Sequence, residues 1–126
     1  MPAVLVTGAA RRLGRAICLY LAERGYDIAA HYHTSEAQAS SLQQEVQVLG
    51  RRCMLVAADL REVKQFPRLL ASVRAEMPEC VALVNNASTF ERGPFMEADE
   101  ASFDDNITVN LKAPVFLTRA FVQSFA

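Results

Sequence analysis

The 126-residue sequence has no surplus of charge: thirteen Lys and Arg stand against fourteen Asp and Glu, a net charge of −1 at pH 7. A nucleic-acid or membrane surface calls for a basic excess or a basic stripe, so no nucleic acid and no membrane is expected as a partner. No apolar run approaches the roughly 20 residues that span a bilayer. Met1-Pro2 leads straight into an apolar strand, so no signal peptide is expected either. Cysteine is scarce, at three residues (Cys18, Cys53 and Cys80), and none forms a C-x-x-C pair. Scattered thiols in apolar surroundings read as reduced core residues, which points to a cytoplasmic compartment and no metal centre. Linkers and low-complexity segments are missing too. What remains is 52% hydrophobic and 21% charged, rich enough for a packed core and the size of one domain or part of one.

The first stretch that stands out is Val4-Leu5-Val6-Thr7-Gly8-Ala9-Ala10-Arg11-Arg12-Leu13-Gly14. An apolar strand (3–7) turns through Gly8 and meets a second glycine, Gly14, where a helical pattern begins. A helix entered this way points its free N–H groups into the turn and makes an anion site, the plainer alternative being a structural turn alone. The spacing is not G-x-G-x-x-G, and no Gly-Lys-Ser/Thr follows, so it is not a nucleotide-triphosphate loop. Leu13, Ala16, Ile17, Tyr20 and Leu21 predict an amphipathic helix over 12–24, stopped at Gly25. A second strand is predicted over 26–32. The next helix is capped by Thr34 or Ser35, buries Ala39, Leu42, Val46 and Leu49, and stops at Gly50.

Residues 53–57 read as a third strand. Phe66, Leu69, Leu70, Val73 and Met77 then repeat at helical spacing. Pro67 fits only if that helix begins near 63–66, where its missing N–H would be unpaired anyway. Residues 81–84 read as a fourth strand, followed by a long loop over 87–98. From Asp99 onward the pattern is helical, with Val109, Ala113, Phe116, Leu117, Ala120 and Phe121 on one face. Alternating strands and helices with short connections predict an α/β fold with a doubly wound parallel sheet, in which ligands bind at the C-terminal ends of the strands.

In that architecture the end of the second strand meets a dinucleotide's ribose, where a carboxylate favours NAD. Here the positions are His31, Tyr32, His33, Thr34 and Ser35, with no acid before Glu36, and Arg11 and Arg12 stand in the neighbouring turn. Guanidinium and hydroxyl groups suit a phosphate dianion, so the expected cofactor is NADP(H). The plainer alternative is solvated arginines and two histidines on the strand surface; a His31/His33 metal pair lacks a third ligand. Asp59 reads either as an N-cap or as an acceptor for an adenine amino group, with Leu60 packing on the ring, and the two roles are compatible. Asn85-Asn86-Ala87 at a strand end permits close approach of a cofactor. Pro114 cannot donate to the carbonyl of Asn110, which is left free to bind a water unless the helix is simply kinked there.

Thr7-Gly8-x-x-x-Arg12-x-Gly14, Asp59-Leu60, Asn85-Asn86-Ala87 and Asn110 together resemble the short-chain dehydrogenase/reductase family in order and spacing, over essentially the whole chain. Arg12 stands where the family usually has the middle glycine of its turn. This Arg12, with His-Tyr-His at 31–33 and Asn-Asn-Ala-Ser-Thr-Phe at 85–90, is similar to the pteridine reductase branch, whose cofactor is NADPH. The resemblance implies a Rossmann-like domain, of which 1–126 would be the NADP-binding part, incomplete at its C-terminus. It assigns Arg12, His33 and Ser35 to the 2′-phosphate, and Thr34 stands where that branch often has arginine. It places Leu13 on the cofactor backbone and Asn86, Ala87 and Ser88 along the path from adenosine to pyrophosphate. Ser88 and Phe90 would meet the substrate, Phe90 covering one face of a flat pterin, or else Phe90 is an ordinary buried loop aromatic. Asn110 would hold the water of a proton relay.

The relay of that family ends on Tyr-x-x-x-Lys, where the lysine lowers the phenol's pKa. Tyr20, Tyr26 and Tyr32 are followed four residues on by Arg24, Ala30 and Glu36, so the pair is absent from this sequence. The expectation is therefore the N-terminal portion of an NADPH-dependent reductase acting on a small-molecule substrate, a pterin or dihydrofolate-like compound. The alternatives are a carbonyl or 3-oxoacyl-thioester reductase, or a non-catalytic dinucleotide-binding or interaction module. The apolar stripe from Phe116 to Phe121 would bury itself against missing structure or a partner subunit, and a homo-oligomer is expected.

Overall fold

A computed structural model describes residues 1–125. The elements run β1 (Ala3–Val6), α1 (Arg12–Glu23), β2 (Asp27–Tyr32), α2 (Glu36–Val48), β3 (Cys53–Ala57), α3 (Phe66–Glu76), β4 (Cys80–Val84), α4 (Glu100–Ile107) and α5 (Ala113–Phe125). A short 3-10 turn at Val63–Gln65 leads into α3, with Pro67 in its first turn, where no N–H is missed. Between α4 and α5 the chain winds as a π-helix over Thr108–Lys112, and the Ala113 N–H donates to the Thr108 carbonyl.

The four strands are all parallel, in the order β3-β2-β1-β4. Side chains alternate across the sheet. Ala3, Leu5 and Ala29 face one core with α3 and α5, which includes Phe66, Leu70, Val73 and Leu117. Val4, Val6, Ile28 and Ala30 face the other with α1 and α2, which includes Cys18, Ala22, Leu42 and Val46. The predicted doubly wound sheet is therefore present. Asn85 Nδ2 donates to Thr118 Oγ1 (3.0 Å) and ties the end of β4 to α5.

Several expectations about faces need correction. The buried face of α1 is Gly14, Cys18 and Ala22, whereas Leu13, Ala16 and Tyr20 are exposed. Large apolar side chains mark a stripe by size, but α1 lies so close to the sheet that only small residues fit beneath it. Leu49, expected in the stripe of α2, is 43% exposed because the helix has ended at Val48. Phe116 is also 38% exposed, while Val109, Ala113, Leu117 and Ala120 are buried as predicted. No helix among the described residues is long and apolar enough to cross a membrane.

This distribution predicts unequal costs on α3 and α2. Leu70 is fully buried, and Leu70→Ala is expected to cost about 2–5 kcal/mol of stability. Leu49→Ala is expected to cost less than about 1 kcal/mol. Denaturant unfolding of the two variants reads the difference, and equal losses would contradict the assignment of the core.

Candidate functional site

Each strand of a parallel sheet ends on the same side, so the loops that follow β1, β2, β3 and β4 gather there. They enclose an open cleft of about 590 Å³. The turn after β1 contributes Gly8, Arg11, Arg12, Leu13 and Gly14. The end of β2 contributes His31, Tyr32, His33, Thr34 and Ser35. Asp59, Leu60 and Arg61 come from the loop after β3, and Asn86, Ala87, Ser88 and Thr89 from the loop after β4.

The turn after β1 is held by a buried polar cluster. Thr7, 2% exposed, accepts at Oγ1 from the N–H groups of Asn86 and Ala87 (2.9 Å each), and its own hydroxyl faces the Val84 carbonyl at 3.4 Å. Asn86 Nδ2 donates back to the carbonyls of Thr7 (3.0 Å) and Gly8 (3.1 Å). Asn86 therefore staples β4 to the turn with both its backbone and its amide. The turn also requires glycine at two points. Gly8 is left-handed (φ 59°), and a Cβ on Gly14 would stand 2.0 Å from the Gly8 carbonyl oxygen. Arg12 is the one non-glycine residue with positive φ among the described residues, at 52°. The first N–H that closes the helix is that of Arg15, on the Arg11 carbonyl, so the first-turn donors of Arg12, Leu13 and Gly14 are orphans directed at the cleft.

His31 is buried. Its Nδ1 lies 3.0 Å from the Gly8 nitrogen and its Nε2 2.8 Å from the Ala58 carbonyl oxygen. Both ring nitrogens are engaged, so neither is free for the metal pair with His33, and the surface reading fails for His31. Burial pushes its pKa below the ordinary value, and the bond to Ala58 opposes that only in part. His33 is half exposed, with Nε2 3.9 Å from Asp59 Oδ2.

Asp59 is not a helix cap. The 3-10 turn is preceded by Glu62 and α3 by Gln65. Asp59 Oδ1 instead accepts from the Arg61 N–H (3.0 Å) and from the Arg61 guanidinium (3.1 Å). Burial would raise its carboxyl, but Arg61 and His33 outweigh burial and hold it below the usual range. Arg61 also pairs with Asp105 on α4, whose carboxyl it lowers. Ser35 occupies the N-cap position of α2, yet neither it nor Thr34 closes the cap, because no side-chain cap bond forms there. That leaves the Ser35 hydroxyl uncommitted to the helix.

Asn110 sits within the π-helix. Its side chain accepts from the Thr89 N–H and donates to the Thr89 carbonyl, at 2.8 Å each. It is thereby fixed to the Ser88-Thr89 loop. Phe90 does not join the cleft: it is 79% exposed and is neither a buried loop aromatic nor a lining residue. The three cysteines are buried, and burial pushes the Cys18 and Cys53 thiols up to about 12, so they stay protonated and unreactive.

Sequence reasoning missed the role of His31, which it named only at the strand end and in a metal pair, and missed Arg61 and Thr89. A signal existed for the first: His31 ends the apolar run Ile28-Ala29-Ala30 inside a strand, and a polar group buried there must find partners. No local pattern marks Thr89 or the second partner of Arg61, since Asn110 and Asp105 lie 21 and 44 residues away.

Residues 2–126 match the family described as short chain dehydrogenase. The chain is 33% identical over 108 residues to the 3-oxoacyl-acyl-carrier-protein reductase FabG of Staphylococcus aureus, covering 86% of this chain and 44% of that protein. Among solved structures it is similar to FolM alternative dihydrofolate reductase 1 from Brucella suis in complex with NADP, at 31% identity and a TM-score of 0.89, over 99% of this chain and 52% of that one. It is also similar to a 3-oxoacyl-acyl-carrier-protein reductase from Brucella melitensis in complex with NAD, at 33% identity and a TM-score of 0.90, over 98% and 48%. The chain spans about half the length of the curated relatives it matches.

The contact between Gly14 and the Gly8 carbonyl generates a direct prediction. Gly14→Ala would meet the Gly8 carbonyl, which is backbone, and the Asn86 amide, which is already bonded to that carbonyl, and is expected to cost about 3 kcal/mol, the upper end of overpacking penalties. Thermal unfolding checks it. An unchanged midpoint would show that α1 does not rest on the turn as described.

Proposed function

The chain belongs to the short-chain dehydrogenase family, and from that premise we propose that it is the NADP(H)-binding portion of a reductase whose substrate is a pterin or dihydrofolate-like molecule. The cofactor assignment rests on one observation above all. The ribose end of the cleft is formed by Tyr32, His33, Thr34 and Ser35, without a carboxylate of its own, and faces Arg11 and Arg12. Asp59 also lines the cleft, but its carboxylate is paired with Arg61.

The residues present fit such a group. Gly8 and Gly14 let the turn, the helix and the loop after β4 pack closely, and the orphan N–H groups of Arg12, Leu13 and Gly14 would be the donors to a pyrophosphate. Arg12, His33 and Ser35 would take the 2′-phosphate, with Arg11 and Thr34 beside them. Asp59 and Leu60 would take the adenine, and Asn86, Ala87 and Ser88 the path toward the nicotinamide. When bound, the reduced nicotinamide supplies a hydride. Asn110 would hold the relay water by its carbonyl while its side chain positions Ser88 for the substrate. Phe90, projecting beyond the cleft, would fold over a flat ring. The Phe116 stripe and exposed Val115 and Val122 on α5 support a homo-oligomer.

A 3-oxoacyl-thioester reductase is the second reading, favoured by the exposure of Phe90 and by the FabG relative. Replacing Phe90 by Ala in the complete enzyme separates the two. The pterin reading expects pterin affinity to fall more than NADPH affinity, and equal effects would remove Phe90 from the substrate site.

Arg12 gives the sharper cofactor test. Non-glycine residues in the left-handed region carry strain of roughly 1–2 kcal/mol, which glycine relieves. Arg12→Gly should therefore raise the unfolding midpoint while lowering the preference for NADPH over NADH by about tenfold, as for loss of a charge-assisted phosphate contact. Equal affinity of the parent chain for both cofactors, or tighter NADH, would defeat the assignment.

A further inference from the structure

His31 reaches both walls of the cleft. It sits on β2, between β1 and β3, and is 3% exposed. The Gly8 N–H can only donate, so Nδ1 must present a lone pair. The Ala58 carbonyl can only accept, so Nε2 must carry the proton. The two partners together select the neutral ring with its proton on Nε2. The backbone of the same residue adds a third bond, since the His31 carbonyl accepts from the Ala9 N–H at 2.8 Å. Gly8 and Ala9 are thus both held by His31, and the Thr7 N–H is held by Val84. The N–H groups of Thr7, Gly8 and Ala9 are committed inward, so donors for an anion begin beyond Ala9 and include those of the first turn of α1. On the opposite side, Ala58 immediately precedes Asp59 and Leu60.

We propose that His31 is the positioning residue of the cofactor cleft, setting the glycine turn and the Asp59 loop at their working separation through its neutral Nε2–H form. A proton on Nδ1 places two donors face to face at Gly8 and releases the turn. Cofactor affinity is thereby coupled to the protonation of His31. This rests on the NADP(H) reading of the cleft.

The charged groups around the ring are His33 on its own strand, Asp59 and Arg61 on the loop after β3, and Arg11 and Arg12 on the turn after β1. Burial is the main cause lowering the His31 pKa; His33 adds to it, while the Ala58 bond and Asp59 oppose it. The sign follows from linkage. The unfolded chain takes up this proton near the ordinary value of 6.5 and the folded chain only at lower pH. The stability His31 contributes is complete above that value and declines as pH falls toward the folded value. By reciprocity, bound cofactor must push the ring's pKa lower still.

The test is NADPH titration of the full-length protein and of His31→Asn and His31→Leu, from about pH 8 to 5.5, with histidine-ring nitrogen spectra and Gly8 amide exchange. Asn carries an acceptor where Nδ1 stands and does not titrate. Parent and His31→Asn share every other titratable group, so the ratio between them reads out His31. His31→Leu should weaken NADPH binding by about tenfold or more at neutral pH, as for an orphaned buried donor, and expose the Gly8 amide to exchange. His31→Asn should rescue both and lose less affinity than the parent on the acid side. The ring should be neutral at Nε2–H, with its midpoint below 6.5 and lowered further by NADPH. A midpoint at or above 6.5, parallel acid loss in parent and His31→Asn, or parent-like binding and Gly8 protection in His31→Leu would overturn the proposal. Should His31→Leu fail to fold, the His31→Asn ratio and the ring spectra still decide. Absence of NADPH binding by the parent at every pH would defeat the cofactor reading instead, and the tautomer and Gly8 exchange would still report on the strut.

Discussion

Everything at the cleft depends on how closely α1 approaches the end of β1. The Gly14 backbone lies against the Gly8 carbonyl so tightly that a single methyl group would overlap it. That approach brings the helix's first N–H groups over the strand ends and aims its positive end into the cleft. It also explains why α1 buries Gly14, Cys18 and Ala22 and leaves its larger apolar residues outside. Gly8, Thr7 and Asn86 complete the arrangement by stapling the turn to β4, and His31 supports it from β2. The turn is therefore held from three sides before any ligand arrives, which keeps the entropic cost of binding low.

Arg12 departs from that economy. It holds a left-handed conformation that glycine adopts freely, in a turn otherwise built on glycine. Strain persists where the surrounding structure imposes it, and such positions cluster at ligand clamps. Arg12 lines the same cleft as Ser35 and His33, and under the proposed function its guanidinium gives that strain a use. Arg61 plays a different part, joining Asp59 at one edge of the cleft to Asp105 on α4. Its pairing with Asp59 offsets a carboxylate that, under the proposed function, would repel a phosphorylated ribose.

The fold was legible because both of its determinants are local. Apolar strands, helical periodicity and the stops at Gly25 and Gly50 are written within a few residues of one another, and the parallel order follows from short crossovers. The placement of Gly8 to Gly14, 32–35, 59–60 and 86–88 around one cleft followed from topology, since consecutive strands of such a sheet end on the same side. The buried face of α1 was not legible, because hydrophobicity ranks side chains by size and close packing selects small ones. Nor was the role of Asp59, whose partner Arg61 lies two residues on but also needs Asp105 from a helix far along the chain. Asn110 was recognisable as an unusual residue ahead of Pro114. Its pairing with Thr89, and the π-helix that accommodates the proline, depend on contacts no local pattern encodes.

The central claim is that the cleft holds a phosphorylated ribose between Arg12, His33 and Ser35. Phosphorus NMR of NADP(H) bound to the protein tests it most directly, because a free phosphate monoester takes up a proton near pH 6. Guanidinium, imidazole and hydroxyl donors favour the dianion. The account predicts that the 2′-phosphate resonance of the bound cofactor stays in its dianionic position well below that pH. A bound 2′-phosphate that titrates as it does in free solution would contradict it.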